Sequence, residues 1–561
     1  MKVCSGVDLR GRFVRKGHPV RAPEQLRAIP ARAWGLLAAA VTLAVFARAA
    51  WFPFFPFWDD DIHVHANPHI ARLSWSGLAA LWAGPWQQLY IPLTYSVWAG
   101  LAALSRWAAG LPIATGTLDP AWFHGANVLA HVASAALAFA LLRRATAAFF
   151  GGIPAARVNM AAALGAAFFA LHPLQVEPVA WVSGLRDVLG GCLGLAALVV
   201  LFGAERPSAA RWACATLLFL ASLAAKPAGV ALPAVAAILA FAPFRWTPRQ
   251  IALALGPWLL AGAAWVVLTS SAQWAAELAR GLVPAWMRPL VAADALSFYL
   301  AKTLWPAGLA ADYGRSPDAA LAAGWLWWTW AGPAALVALL AALKPLRVYL
   351  VPLGVFAAAL APTLGLVPFN FQVVSTVADR YAYFALIGPG LALAMAVAQC
   401  GRGWVSALAA LWVAGLAADT MHRLPLWSDD LRLFAATLET NPRSWKAMHN
   451  YASALDDRGR TAEALPLLRE VVARRPDSAE AHNDLSVVLW NLGRREEAAI
   501  MMRRAVALRA TPGSARNLAQ MEAMLGNKEG LLAALEWVVR LEPENAEAAR
   551  QLEALRREVA R

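Results

Sequence analysis

Long apolar runs separated by short polar or basic breaks fill the chain from residue 33 to about residue 420. A helix rises about 1.5 Å per residue, so roughly 18 to 20 apolar residues cross a bilayer. The runs predict helices over about 33–50, 121–142, 158–172, 187–203, 211–224, 227–243, 250–269, 321–343, 348–366, 381–399 and 404–420. Basic residues mark alternate breaks: Arg143-Arg144, Arg206 with Arg211, Arg245 with Arg249, Lys344 with Arg347, and Arg402. Placing all of them in the cytoplasm, together with the arginines that precede residue 33, gives about eleven spans. The N-terminus is then cytoplasmic, and everything after about residue 425 is external. Two long external stretches result, about 52–120 and 270–320. The first contains an apolar segment, 92–109, that carries Trp98 and Trp107. Counted as a span it would move Arg143-Arg144 outside, so it is read as a helix lying along the interface. Tyr299–Leu309 in the second stretch reads as a re-entrant or interfacial helix.

After residue 425 the pattern changes to charged, alanine-rich amphipathic helices with a repeat. Gly459 and Gly493 are 34 residues apart, as are Pro442 and Pro476, and Gly526 follows Gly493 by 33. Ala462-Glu463-Ala464-Leu465 and Glu496-Glu497-Ala498-Ala499 stand at the same phase. A 34-residue helix–turn–helix period with a glycine turn and a proline boundary is the tetratricopeptide signature. Three repeats fit in 441–542, with a capping helix to about 560. Such stacks bury a shared core and present a concave groove. The chain is therefore read as all-α, in three parts: a basic tail over 1–32, a transmembrane domain over 33–425, and a repeat domain over 441–561.

Composition supports this division. Of 561 residues, 60% are hydrophobic and 15% charged, against roughly 25% charged in a soluble protein. The net charge of +14 reflects Lys and Arg retained in cytoplasmic loops, so no nucleic-acid partner is implied. Cys4, Cys192, Cys214 and Cys400 are isolated and suggest neither a disulfide framework nor a zinc site. The first 32 residues are too polar for a cleavable signal, which makes 33–50 the first membrane helix.

Polar chemistry gathers at the external ends of the spans. Asp59-Asp60-Asp61, with Asn67, stands just beyond the first span, where a carboxylate at the membrane edge is costly and suggests function. His172-Pro173-Leu174-Gln175-Val176-Glu177 runs through Trp181 to Arg186-Asp187, at the start of another span. Asp379-Arg380-Tyr381-Ala382-Tyr383 opens a third. Acids and arginines on one face suit a lipid phosphate, because Arg grips phosphate bidentately and a carboxylate can take a proton from an acceptor hydroxyl. Each group has a plainer alternative: a solvated loop for the acids, an ion pair for Glu177 with Arg186, and an interfacial anchor for Arg380. His63, His65 and His69 could join the acids around a divalent metal, or lie in a solvated loop. His124, Asn127 and His131 share one helical face and suit interhelical bonding.

These pieces, in this order, resemble the GT-C glycosyltransferase superfamily. They are Asp59-Asp60 with Asn67-Pro68; Pro92-Leu93-Thr94; Phe123-His124, Asn127 and His131; His172-Pro173 with Glu177, Val179-Ala180-Trp181 and Arg186-Asp187; Leu304-Trp305-Pro306 to Asp312-Tyr313; and Asp379-Arg380-Tyr381 with Tyr383. Together with the repeats they look most like the transmembrane-and-tetratricopeptide protein O-mannosyltransferases of the secretory pathway and their bacterial relatives. The resemblance implies a polytopic bundle of GT-C type followed by an α-solenoid. It implies transfer of a sugar, mannose being favoured, from a polyprenyl-phosphate donor to a protein hydroxyl. Asp59 or Asp60 would be the catalytic base. Glu177, Arg186, Arg380 and His172 would shape the donor site. The repeat groove would receive an acceptor polypeptide or partner protein. The setting it implies is a bacterial inner membrane, with the active site and repeats periplasmic. Metal use differs within the superfamily, so none is assigned. One departure stands out: the family usually has Arg before Pro-Leu-Thr, and this chain has Ile91. That donor contact falls to Arg186 or Arg380, or goes unfilled.

Two other functions share these features. The same fold could glycosylate an envelope glycan or lipid, or the chain could be a non-catalytic anchor whose repeats organise an envelope complex. Ile91 favours the anchor; acids and arginines retained on one face argue against it. The charge alternation yields a direct expectation. A topology reporter fused after residue 425 should report the external side, and one fused at Arg143 the cytoplasmic side. The same side from both would refute the eleven-span arrangement.

Overall fold

The computed structural model describes residues 30–55, 58–65, 67–71, 73–110, 117–205, 207–270, 272 and 282–559. Most of the expected basic tail, and Arg206, lie outside the described residues. Among the described residues the fold is helical, apart from one isolated bridge between Trp86 and Leu89.

Helices of ten residues or more are numbered in chain order. The first group is α1 (Ala31–Phe46), α2 (Pro92–Ala108), α3 (Pro120–Phe149), α4 (Ala155–Leu171), α5 (Leu185–Leu201), α6 (Ala209–Ala225) and α7 (Leu232–Phe241). Next come α8 (Pro248–Ser270), α9 (Arg288–Leu304), α10 (Ala331–Ala342), α11 (Leu350–Leu360), α12 (Ile387–Cys400) and α13 (Gly403–Arg423). Every predicted apolar segment is helical. Among the described residues seven helical segments are long and apolar enough to cross a membrane, and the bent pair Ala155–Leu171 and Pro173–Ala180 would make an eighth. Ala209–Ala225, Pro227–Phe241 and Ile387–Cys400 are shorter apolar helices.

Proline explains where the boundaries moved. The helix expected at 299–309 is instead Arg288–Leu304. Pro306 disfavours helical backbone at the residue before it, and Trp305 is extended (φ −139°, ψ 90°). The helix expected from residue 381 begins at Ile387, with Pro389 in its first turn, where a missing N–H costs nothing. The segment expected at 92–109 is helix α2, whose Tyr95, Trp98, Ala99 and Ala102 are fully buried.

The thirty-residue α3 runs through the middle of the bundle, against α1, α4 and α5, while α12 packs on α4. Phe46, Phe169, Trp181 and Tyr383 fill the interior. Small residues permit the closest crossing. A Cβ on Gly165 would sit 2.3 Å from the Gly390 carbonyl oxygen.

The C-terminal helices are α14 (Asp430–Thr440), α15 (Trp445–Asp457), α16 (Thr461–Arg474), α17 (Ala479–Asn491), α18 (Arg495–Leu508), α19 (Pro512–Met524), α20 (Lys528–Leu541) and α21 (Ala546–Val559). α15 to α20 form three antiparallel pairs, and α21 covers the last. The repeat period recurs in the capping chemistry. Ser444, Ser478 and Thr511 each accept a backbone N–H bond at the start of the first helix of a pair. The turn within each pair carries Gly459, Gly493 or Gly526 at φ 74°, 76° and 71°, a left-handed backbone that side chains resist.

The stack is tied to the bundle by polar bonds. Ser444 Oγ donates to the buried Asp312 carboxylate at 2.5 Å, and Asn441 Nδ2 donates to the Asp312 carbonyl at 3.4 Å. A cap serine of the first repeat is thus shared with the loop after α9. Gly165→Ala should force α4 and α12 apart and cost roughly 1–3 kcal/mol, as overpacking does. Gly415→Ala on α13 meets open space and serves as the control. An equal apparent Tm for both variants in detergent would show that the α4–α12 crossing is not close.

Candidate active site

The acid loop is held by burial of its middle carboxylate. Asp60 is fully buried. Its Oδ1 accepts from Ser183 N at 3.1 Å and Ser183 Oγ at 2.6 Å, and its Oδ2 accepts from Phe55 N at 3.0 Å. Three donors on one carboxylate replace the lost water and pin this loop to the turn before α5. Burial pushes the Asp60 carboxyl up to about 7; the Ser183 and Phe55 bonds oppose this and the Asp59 charge adds to it.

Asp59 faces the other way. Arg186 Nη2 donates to Asp59 Oδ2 at 3.0 Å, and the Asp59 side chain keeps 36% of its surface open. Burial raises its carboxyl, but the charges of Arg186, His63 and Arg380 outweigh that and hold it below the ordinary value. Asp59 is therefore ionised at neutral pH. Asp61 begins the next helical turn and lies at the side of the site.

Two more ion pairs stand beside it. Arg380 pairs with Glu177, which also accepts from Arg380 N at 2.9 Å. Lys226 pairs with Asp187 and lies 5.3 Å from the Tyr381 ring centroid. Arg186 and Arg380 both lie over the Trp181 ring, at 5.1 and 5.6 Å. The Glu177–Arg186 pair weighed as the plainer alternative is thus exchanged for Glu177–Arg380 and Arg186–Asp59. His172 stands apart from this group. Its Nε2 bonds the Thr303 carbonyl at 3.1 Å and its Nδ1 accepts from Leu174 N, so it shapes the Pro173 turn.

The histidines of the acid loop diverge. His63 Nδ1 is 2.9 Å from Tyr95 Oη, His65 packs edge-on to Phe54, and His69 on Trp86. Burial pushes His63 down to about 4. Among the described residues no three His, Cys, Asp or Glu side chains converge as a metal site, so the residues present do not fit the divalent metal considered from sequence. Asn127 donates to the Trp181 carbonyl at 2.6 Å, and His131 bridges Tyr383 and the Ala170 carbonyl. Both are interhelical ties.

Two cavities meet here. The larger, about 510 Å³, has Trp58, Asp59, Ile62, Phe371 and Arg380 on the bundle side and α15 with α17 on the other. The smaller, about 50 Å³, runs along Gly190, Gly191 and Gly194 of α5 toward Lys226, Tyr381 and Arg380. Arg380 lines both.

Lys226 did not stand out in sequence; its signal was a lone ammonium between two apolar runs. Its placement bears on Ile91. Thr94, three residues on, donates to the Ala225 carbonyl at 2.9 Å, so the turn carrying Lys226 docks on the start of α2. The repeat residues of the larger cavity were also missed, because nothing in a helix pattern says which face meets another domain.

Among known proteins, residues 451–515 match the Tetratricopeptide repeat family. The chain is also similar to Protein O-mannosyl-transferase Tmtc2 of Drosophila melanogaster, 30% identical over 115 residues, or 19% of this chain and 12% of that protein. The matched part is thus about an eighth of the relative's length. Among solved structures it is similar to the MamA protein (19% identity, 22% of this chain, 69% of that one, TM-score 0.21). It is also similar to a thermophilic TPR protein of Thermus thermophilus (18% identity, 28% of this chain, 92% of that one, TM-score 0.20). The chain carries tetratricopeptide repeats in its C-terminal region and is weakly related to that transferase.

Asp60 provides a pH test. An aspartate in an unfolded chain titrates near 4, whereas Asp60 in the fold titrates at about 7. The folded value is the higher one, so the native state holds an extra proton between these limits, and stability falls as pH rises through them. Asp60→Asn cannot titrate. Between about pH 4 and pH 7 the variant should lose less apparent Tm than the wild type, and parallel curves would refute the raised value.

Proposed function

We propose that this chain is a GT-C-type membrane glycosyltransferase of about eleven spans, moving a sugar, mannose by resemblance, from a polyprenyl-phosphate donor to a polypeptide hydroxyl. The reaction belongs on the external face, periplasmic in a bacterial inner membrane. The observation that carries this reading is the position of Asp59, an ionised carboxylate between Arg186 and a 510 Å³ cavity walled by the repeats.

The chemistry follows from who faces whom. The acceptor hydroxyl oxygen attacks the anomeric carbon and a new glycosidic bond forms. The bond from that carbon to the phosphate oxygen breaks, and its electrons leave with the lipid phosphate. The hydroxyl proton passes to Asp59. Arg186, Arg380 and Lys226 stabilise the departing phosphate, the two guanidiniums by bidentate bonds. Lys226, whose ammonium burial and the neighbouring arginines pull well below its ordinary pKa, is held by Asp187 on the side where Ile91 offers no cation. Gly190, Gly191 and Gly194 of α5 let Lys226, Tyr383 and Leu232 pack closely against that helix, which sets Lys226 and Tyr383 beside Arg380 at the donor side of the site. Asp60 acts by positioning Asp59, and His172 and Glu177 by shaping the surrounding turns. The match to an O-mannosyl-transferase over 115 residues supports the reaction class.

Ile91 also suits a second reading, a non-catalytic anchor. Substitution at Asp59 separates the two. A general base contributes about 10² to 10⁴ in rate, so Asp59→Asn should lower transfer by about 10² or more, measured on purified protein with a polyprenyl-phosphate sugar. Arg186→Lys should weaken donor use, because the fork is lost. Asp61→Asn should lower transfer much less, as a loop charge screened by water. Near-normal turnover by Asp59→Asn would remove the catalytic assignment and leave the anchor.

A further inference from the structure

The repeat side of the larger cavity has a definite chemistry. From α15 come Lys446, His449, Asn450, Ser453, Asp456 and Asp457. Their spacing of three and four residues places them on one helical face. From α17 come Glu480 and Asp484. The upper part of this wall is paired within itself: Lys446 lies 3.6 Å from Glu480, and His449 Nε2 lies 2.8 Å from Asp484 Oδ2. The lower part is not. Among the described residues Asp456 Oδ2 accepts only from the neutral Asn491 amide at 3.3 Å, and its Oδ1 has no partner. Arg458, the cation next in the chain, is already engaged with Asp430.

Like charges crowd at this end. Burial and the charges of Asp456 and Asp430 push the Asp457 carboxyl up against the pull of Arg458. In the neighbouring acid loop, burial raises the Asp61 carboxyl, His65 opposes it, and Asp457 adds to it. A cation placed beside Asp456 and Asp457 would relieve this repulsion. A second observation points to an extended chain as its carrier. Asn450 is 2% exposed, its Oδ1 faces His449 Nδ1 at 3.3 Å, and its Nδ2 has no acceptor among the described residues. A buried amide donor costs about 1–3 kcal/mol when left unpaired, and the carbonyl of a docked main chain would pair it. Ile62, Phe371, Val487 and Val488 line the same space and can cover the aliphatic stem of a lysine or arginine.

We infer that the cavity selects an extended polypeptide carrying lysine or arginine beside its hydroxyl residue, with Asp456 and Asp457 holding the cation and Asn450 Nδ2 donating to a main-chain carbonyl. That this polypeptide is the acceptor rests on the transferase reading; the binding itself does not.

The test uses the full-length protein in nanodiscs of zwitterionic lipid, so that the membrane does not attract the probe. Fluorescein-labelled peptides Ala-Lys-Ser-Lys-Ala, Ala-Gln-Ser-Gln-Ala and Ala-Glu-Ser-Glu-Ala are titrated by anisotropy. The lysine peptide should bind at least about ten-fold tighter than the glutamate peptide. Asp456→Asn and Asp457→Asn should each weaken the lysine peptide by about two- to five-fold and leave the glutamine peptide unchanged. Asn450→Ala should weaken lysine and glutamine peptides alike. Asp457 is exposed, so its variant keeps the test sound if the buried Asn450 variant misfolds. Equal affinity for lysine and glutamate peptides, or an unchanged lysine affinity in both aspartate variants, would overturn the inference. Sugar transfer is read separately. Lysine-selective binding without any transfer would support this pocket and remove the transferase reading. Transfer to lysine and glutamate peptides alike would overturn the selectivity and leave the transferase.

Discussion

The buried bonds of Asp60 hold the candidate site together. A carboxylate with no exposure needs donors for its oxygens, and it finds them in two places, Phe55 in its own loop and Ser183 in the turn before α5. Once those bonds form, the neighbouring Asp59 has little freedom. Successive side chains point apart, so burying one acid turns the next toward the cavity and into reach of Arg186. On the proposed reading Asp60 orients its neighbour, and its raised proton affinity is the cost of taking a charge out of water.

Around it the site is a lattice of paired charges on aromatic surfaces. Glu177 fixes Arg380, Asp187 fixes Lys226, and Trp181 lies under both arginines. Breaking a buried pair is costly because the survivor is left unpaired. The three cations are therefore held in place before any anion arrives. On the proposed reading, preorganised charge of this kind would stabilise a leaving phosphate without rearrangement during the reaction. The glycine face of α5 reaches the same cations from within the bundle, and the repeats reach Asp59 from the other side.

The repeats can face Asp59 only because they are docked. Ser444 caps α15 and also donates to Asp312, so one hydroxyl serves both the repeat and the bundle. Trp58 packs against Phe434 and Phe55 against Trp427, which ties the acid loop to the helices leading into the repeats.

The local periods of the chain were enough for its elements. Apolar runs placed most helices of the bundle, because covering backbone polar groups in an apolar setting requires a helix, while Arg288–Leu304 begins well before the segment expected at 299–309. The 34-residue spacing placed the repeats, because each glycine turn needs a left-handed backbone. Helix ends were less legible where Pro306 and Pro389 shift them by a few residues. Candidate site residues were legible as types: Asp59, Asp60, Glu177, Arg186 and Arg380 are acids and arginines where apolar chain is expected. Their pairing was not, since Asp59 and Arg186 are 127 residues apart and Glu177 and Arg380 are 203 apart. Contacts at such separation depend on how helices pack, and no local period encodes that. The same holds for His172, which looks like a site residue in sequence and is spent on Thr303, and for Lys226, which looks like a loop charge and stands with the arginines. Which face of α15 meets the acid loop was likewise decided only when the repeats docked through Asp312.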